Sequence, residues 1–205
     1  LLTKELFNQI RCEFPSYWKS SSPFLEYKLS KDGASFKTFQ SSITNTSPHI
    51  LLIKTKEYIV GAYLSDPPTN HSVSLNSNDG IRRHSSLFGS ESSNDSYFSR
   101  SRYSMRKTGK YFGSMSTFVF QINQNSKIDI YKPVVEENST KCVNSFFISV
   151  DNDSLMIGGP MAAIYIEKYF THLLSSQCET FGSPQFTLNN NGDKMLDVEL
   201  YALKQ

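Results

Sequence analysis

The chain has 205 residues, with 21 Lys and Arg against 19 Asp and Glu, which gives a net charge of +2 at neutral pH. This length suits one domain with a core of ordinary size. The near-zero charge argues against a general binder of polyanions, so we expect no nucleic-acid partner. No apolar run reaches 18 residues and no secretory leader pattern is present, so we expect a cytoplasmic protein.

The positions of the cysteines and histidines argue against a disulfide framework and against a metal site. The three cysteines, Cys12, Cys142 and Cys178, are odd in number and widely spaced, which favours a reducing compartment over a disulfide framework. The four histidines share no ligand spacing with one another or with the cysteines, so we predict no metal site and no cofactor. Because the chain begins with Leu1 rather than Met, we expect it to be part of a longer polypeptide.

The N-terminal residues predict an amphipathic helix. Its apolar positions recur at helical spacing and are Leu2, Leu6, Ile10 and Phe14. Pro15 is expected to end this helix. A strand over residues 24–29 and a turn over 31–33 follow, and Ser35 then caps a short helix with Phe36, Phe39 and Ile43 on one side.

Strands dominate the rest of the chain. Residues 50–56 and 58–65 predict a β-hairpin. Later strands are expected over residues 111–123, 127–132, 146–150, 154–158, 162–167 and 195–203. The two-residue period places Phe118 and Phe120 on one core-facing side. The predicted fold is α+β and β-rich, with two antiparallel sheets packed as a sandwich and short helices on its flank.

A polar stretch interrupts this pattern. We predict one domain over residues 1–205, with residues 69–108 as a low-complexity, disordered insertion that is too polar to fold alone. Residues 81–110 carry seven basic and two acidic side chains, a local net charge of +5. The insertion's basic patch consists of Arg82, Arg83, Arg100, Arg102, Arg106 and Lys107.

The basic patch has three interpretations. Arginines two and three residues before Ser85 fit basophilic kinases, whose acidic groove pairs with guanidinium groups, so Ser85, Ser86 and Ser104 are candidate phosphorylation sites. The patch could instead attract an anionic membrane surface, at about 1 kcal/mol for each basic residue. The third interpretation is a solvated linker that the arginines keep soluble.

Two loops near the C-terminus contain glycine and proline at turn positions. Gly158 and Gly159 lack the Lys and Ser/Thr of a phosphate-binding loop, so we predict a hairpin turn there. Residues 175–184 predict a tight loop around Cys178. Glu179 beside Cys178 opposes thiolate formation, so a buried structural cysteine is favoured over a redox thiol. No nucleophile-elbow pattern is present, and we predict no catalytic residue.

Six blocks in order carry a family resemblance. They are residues 31–39, 50–65, 111–120, 153–166, 178–184 and 195–202, among them LLIKTKEYIVGAYLS, YFGSMSTFVF and CETFGSP. Together they resemble the TLDc family, including its oxidation-resistance members and the branch in which TLDc follows a TBC domain. The resemblance singles out six motif positions: Gly113, Ser116, Gly158, Gly159, Cys178 and Phe181.

The chain departs from the family pattern at several of these blocks. Ser116 stands where the family has Glu, and Met115 stands where it has a second Gly. The glycine run shortens to Gly158 and Gly159, and Ser183 replaces an Asn. A family mechanism that used the missing carboxylate would therefore be absent from this chain.

The resemblance implies a non-enzymatic interaction domain. TLDc proteins are associated with protection against oxidative stress, with regulation of the vacuolar proton pump (V-ATPase) and, in the TBC-linked branch, with vesicle trafficking. We therefore expect a monomer that binds a protein partner, with the pump's cytosolic sector as the candidate, on endosomal, vacuolar or vesicle membranes. The alternatives are an antioxidant protein that uses Cys178 and a purely structural module.

Overall fold

Two antiparallel sheets of six strands each make up most of the molecule. The computed structural model describes residues 1–44, 48–69, 110–123, 127–137 and 139–205. Within these residues, short helices lie beside the sheets, and no helix has the length and hydrophobicity needed to cross a bilayer. The fold is the predicted α+β sandwich.

The strand order mixes early and late segments of the chain. In spatial order, the first sheet comprises β1 (Ser22–Lys28), β12 (Asp197–Lys204), β2 (His49–Lys54), β3 (Ile59–Leu64), β5 (Phe118–Ile122) and β6 (Ile128–Tyr131). The second sheet comprises β11 (Asp193–Lys194), β10 (His172–Leu174), β9 (Ile164–Glu167), β8 (Ser154–Ile157), β7 (Ile148–Val150) and β4 (Tyr111–Phe112). The predicted hairpin of β2 and β3 is confirmed.

The helices begin at capping residues. Helix α1 (Lys4–Arg11) starts at Thr3, whose Oγ1 accepts the N–H of Leu6 at 3.2 Å, and it ends one turn before Pro15. A 3₁₀ helix (Ser16–Trp18) follows. Helix α2 (Leu29–Asp32) occupies part of the expected turn. Helix α3 (Phe36–Ser42) is capped by Ser35 as predicted.

The first sheet is buried on both faces. One face packs against the second sheet, and the other packs under α1, where Ile10 belongs to the same buried cluster as Phe118 and Phe120. This explains why β2 is an almost unbroken apolar run rather than an alternating one. The burial predicted for Phe118 and Phe120 is confirmed, but these rings face the helix and not the second sheet.

The single strand predicted over residues 111–123 is wrong. Its first part is β4 in the second sheet and its last part is β5 in the first sheet. Gly113 has φ of 96°, and the N–H of Thr117 donates to the Ser114 carbonyl at 3.0 Å, so a turn carries the chain between sheets. Strands β10 and β11 were not predicted, because their two or three residues are too short to show a period.

Candidate functional site

Four loops meet at one end of the sandwich. Because β4 and β8 are antiparallel to β7, the exit of β4, the entry of β7 and the β8–β9 turn share that end. The loop after β10 joins them. We call this region the motif end and define it by residues 113–116, 134–137, 139–146, 158–161 and 178–183.

The Thr180 hydroxyl joins three of the loops. Its Oγ1 accepts the N–H of Gly159 at 3.0 Å and lies 2.9 Å from Asn144 Oδ1 and 2.8 Å from the Gly159 carbonyl, either of which can accept its proton. The Thr180 carbonyl accepts the N–H of Val134 at 2.8 Å. Thr180 is buried, so these hydrogen bonds fix the loops where water cannot compete.

Gly158 and Cys178 pack directly against each other. Gly158 has φ of 86°, and a Cβ built there would lie 2.5 Å from Cys178 Sγ. Cys178 is fully buried, and its N–H donates to the Ser183 carbonyl at 3.0 Å. Phe181, also buried, lies against the same glycine. The expected hairpin turn and tight loop are therefore two halves of one packed unit.

The loop after Gly113 is attached to the end of β3. The N–H of Ser114 donates to Ser65 Oγ at 2.8 Å, and Thr117 Oγ1 donates to the same oxygen at 3.0 Å. The Ser114 and Ser116 hydroxyls are 2.8 Å apart. These bonds hold the loop next to the start of β7, where Gly113 approaches Phe147 and Ile148.

The structure brings all six motif positions together. Gly113, Ser116, Gly158, Gly159, Cys178 and Phe181 all lie at the motif end. The candidate phosphorylation sites and basic patch fall outside the described residues and stay predictions. They are Ser85, Ser86, Ser104, Arg82, Arg83, Arg100, Arg102, Arg106 and Lys107. The predicted insertion, residues 69–108, lies there too, apart from Thr69.

Exposed apolar side chains concentrate at the motif end. The described residues include twelve exposed large hydrophobic side chains, and six of them lie on the motif-end loops. They are Met115, Val134, Val135, Val143, Phe146 and Met161, each with 36% to 50% of its surface exposed. The sequence did not reveal this surface, because single apolar residues on separate loops have no period.

Contacts connect this apolar surface to the packed loops beneath it. The Phe146 ring lies 4.7 Å from that of Tyr111, and a Cβ on Gly159 would lie 2.8 Å from Phe146 Cβ. A Cβ on Gly182 would lie 3.2 Å from Val134 Cγ2. Burial, then nearby Cys178 and Asp151, raises the pKa of Tyr111 to about 12, so its phenol is neutral at physiological pH.

The charges of the motif end are mostly negative. Its described loops contain three carboxylates, Glu136, Glu137 and Glu179, and one ammonium group, Lys141. All four are exposed, and none forms an ion pair with another described residue. Lys132, next to this end, is paired with Glu13 at 2.6 Å. Among the described residues, the apolar surface therefore has a net acidic border.

A second polar cluster joins the first residue to strand β12. Glu199 Oε2 accepts hydrogen bonds from the Leu1 amino group and the Tyr201 hydroxyl, both at 2.6 Å, and Oε1 pairs with Lys28 at 2.9 Å. Burial alone would raise the pKa of Glu199, but these three donors outweigh it and lower the pKa to about 2. This cluster is fully paired and offers no open site.

The comparison with family models decides the identity of the domain. The TLDc domain model matches residues 1–88 and 96–204, which is nearly the whole chain. The chain belongs to the TLDc domain family. A search of curated proteins finds no match to it. The six residue blocks that resembled TLDc in the sequence thus belong to a TLDc domain, and three of them, residues 111–120, 153–166 and 178–184, contribute loops to its motif end.

The structure also shows where the residues lie at which this TLDc chain differs from the family pattern. Met115 and Ser116 lie on the loop after Gly113, where they replace a glycine and a carboxylate with an apolar side chain and a hydroxyl. Ser183, in place of Asn, is fully buried, and its hydroxyl has no hydrogen-bond partner among the described residues. The substitutions make the exposed part of the motif end more apolar.

Proposed function

We propose that this TLDc domain is a non-enzymatic interaction module that binds a protein partner through its motif end. Its candidate partner is the cytosolic sector of the vacuolar proton pump. In this proposal the domain acts in vesicle trafficking or the response to oxidative stress, in the cytoplasm and peripherally on endosomal, vacuolar or vesicle membranes. Family membership supports the partner and the process, as an analogy from fold.

The observation that carries the proposal is the apolar surface of the motif end. Half of the exposed large hydrophobic residues in the described part of the chain lie on these four loops. Contiguous exposed apolar surface bordered by polar residues is typical of protein interaction sites. Methionine, present at two of the six positions, adapts its shape to a partner.

Rigid support beneath the surface favours binding. The Thr180 hydroxyl network and the close packing of Gly158 on Cys178 fix the loops before a partner arrives. Less conformational freedom is then lost on association, which raises affinity. The burial of Cys178 and the hydroxyl of Ser116 in place of the family's carboxylate support the non-enzymatic part of the proposal.

Binding to the pump's cytosolic sector tests the proposal. Val143→Asp and Met161→Asp change exposed side chains at the motif end, whereas Leu188→Asp and Leu196→Asp change exposed side chains at the opposite end. We expect the first pair to weaken binding about tenfold or more and the second pair to leave it unchanged. Equal binding by all four variants, with circular dichroism showing that each is folded, would remove the motif end from the interface.

Thiol titration of the folded chain tests the non-enzymatic part. Cys12 is exposed and Cys142 is half-buried, so we expect these two to react first and Cys178 to react only on unfolding. Rapid modification of Cys178 in the native state, together with peroxide turnover lost in Cys178→Ala, would favour the antioxidant alternative.

A further inference from the structure

We infer that the motif end takes a partner segment that is both apolar and basic, such as an amphipathic helix with Lys and Arg beside its apolar face. This inference rests on the proposed function and adds the chemistry of the partner. Two observations support it: most charges that border the apolar surface are carboxylates, and these carboxylates form no ion pair with a described residue.

The acidic border is available to a partner. Glu179 lies between Cys178 and Thr180, so its backbone position is fixed by the buried loop while its side chain is exposed. Glu136 and Glu137 follow the exposed Val134 and Val135 on the neighbouring loop. No described residue neutralises any of the three by an ion pair, so their charge is directed to solvent.

The opposing positive charge contributed by the described residues is small. Lys141 is the single cation on the described motif-end loops, and Lys132 beside them is held by Glu13. Lys110, just before β4, and Asp66, just after β3, offset each other in charge. A basic partner therefore gains attraction at this surface, whereas an acidic partner or an anionic bilayer meets like charge.

Fluorescence anisotropy with a labelled amphipathic helix of leucine and lysine tests the inference on the 205-residue chain. We expect this peptide to bind at least tenfold more tightly than the same helix with every lysine replaced by glutamate. The triple variant Glu136→Gln, Glu137→Gln, Glu179→Gln should weaken lysine-peptide binding about tenfold, because each exposed ion pair contributes a factor of about two to three. Added salt should weaken wild-type binding more than that of the triple variant.

The controls separate this inference from the proposed function. Asp153→Asn removes an exposed carboxylate at the opposite end and should leave peptide binding unchanged. Equal binding of the lysine and glutamate helices, or of wild type and the triple variant, would overturn the basic partner. So would binding to phosphatidylserine vesicles that Met161→Asp abolishes. If the triple variant binds the pump sector as wild type does while Val143→Asp does not, the interface stands and only the partner's charge is wrong.

Discussion

At the scale of single residues, Thr180 is the most connected side chain of the motif end. Its hydroxyl bonds both the N–H and the carbonyl of Gly159 and lies within reach of Asn144. Valine has the same shape without the hydroxyl, so Thr180→Val would leave the buried N–H of Gly159 without an acceptor. We expect a loss of about 1–3 kcal/mol in the free energy of unfolding.

Urea denaturation measures this loss, and Thr180→Ser is the matched control. Serine keeps the hydroxyl and removes only a methyl group, so it should cost clearly less than valine. Two variants of equal stability would show that the hydrogen bonds to Gly159 and Asn144 contribute nothing beyond packing.

Gly158 has both a positive φ and a close neighbour, and comparison with Gly33 separates the cost of the backbone conformation from the cost of the close packing. Gly33 has the same φ of 86° but no atom within 4 Å of a built Cβ, whereas Gly158 faces Cys178 Sγ at 2.5 Å. Gly33→Ala should cost about 1–3 kcal/mol, because Gly33, with ψ of 161°, has a backbone conformation that residues with a Cβ rarely adopt. Gly158→Ala should cost about 1–3 kcal/mol more, because the methyl group overpacks the loop. Equal melting temperatures for the two variants would contradict the close packing of Gly158 on Cys178.

Glu199 gives the fold a pH dependence at the acidic side. Its folded-state pKa is lowered to about 2 from an ordinary value of 4.5. The ionised form therefore contributes stability above about pH 4.5, and this contribution is lost as the pH falls towards 2. We expect the stability difference between wild type and Glu199→Gln to be largest at neutral pH and to shrink on acidification.

Denaturation series at several pH values from 7 to 3 measure this difference. Glu179→Gln is the control, since Glu179 is exposed and forms no ion pair with another described residue. A Glu199→Gln penalty that stayed constant with pH would mean that the hydrogen bonds to Leu1, Tyr201 and Lys28 do not favour the ionised carboxylate.

At the scale of secondary structure elements, the packing of α1 on β5 makes the N-terminal helix part of the core. Phe118 and Phe120 are buried under Ile10 and Phe14. Phe118→Ala should lower the free energy of unfolding by about 3–5 kcal/mol, through lost burial and the cavity left behind. Leu188→Ala, at a side chain that is 71% exposed, should stay within about 0.5 kcal/mol of wild type.

Chemical denaturation of both variants checks this prediction. A Phe118→Ala domain as stable as wild type would show that α1 does not seal that face of the sheet. The same experiment tests a point that the sequence left open, because burial of Phe118 was predicted whereas its helix partner was not.

The sequence predicted best those elements that have several repeats of an apolar pattern or a clear capping residue. Helix α1 has several apolar residues at helical spacing, and the β2–β3 hairpin has two apolar strands. Helix α3 has Ser35 as its cap. The sequence failed at β4 and β5, because a run of aromatic residues across Gly113 looks continuous whether or not the backbone turns. Which sheet each segment joins depends on contacts far along the chain, which the local pattern does not contain.

At the scale of the whole molecule, the loops that carry the family motif contribute Met115 and Met161 to the apolar surface, and the loop over residues 134–146 contributes the other four side chains. The motif positions could be found from the sequence through the family resemblance. The apolar surface could not, because it forms only when four loops distant in sequence meet around Thr180. The structure thus adds an exposed apolar surface to a motif that the sequence had indicated as turns.

Residues 70–109, outside the described part, separate β3 from β4. Their flanks are joined through Ser65, which accepts hydrogen bonds from Ser114 and Thr117. Replacing residues 70–109 by a short, flexible Gly/Ser linker should therefore leave a folded domain with a cooperative thermal transition. A variant with no cooperative transition would show that this stretch contributes to the core.

Hydrogen exchange of the chain, alone and with the pump's cytosolic sector, would show whether the motif end is the binding surface, because it locates the interface without any substitution. We predict added protection at the backbone amides of residues 113–116, 134–137, 139–146, 158–161 and 178–183. Residues 151–153, 168–171 and 188–196, at the opposite end, should exchange at unchanged rates. Protection confined to that opposite end, or no change anywhere at concentrations that saturate binding, would contradict the assignment of the motif end as the binding surface.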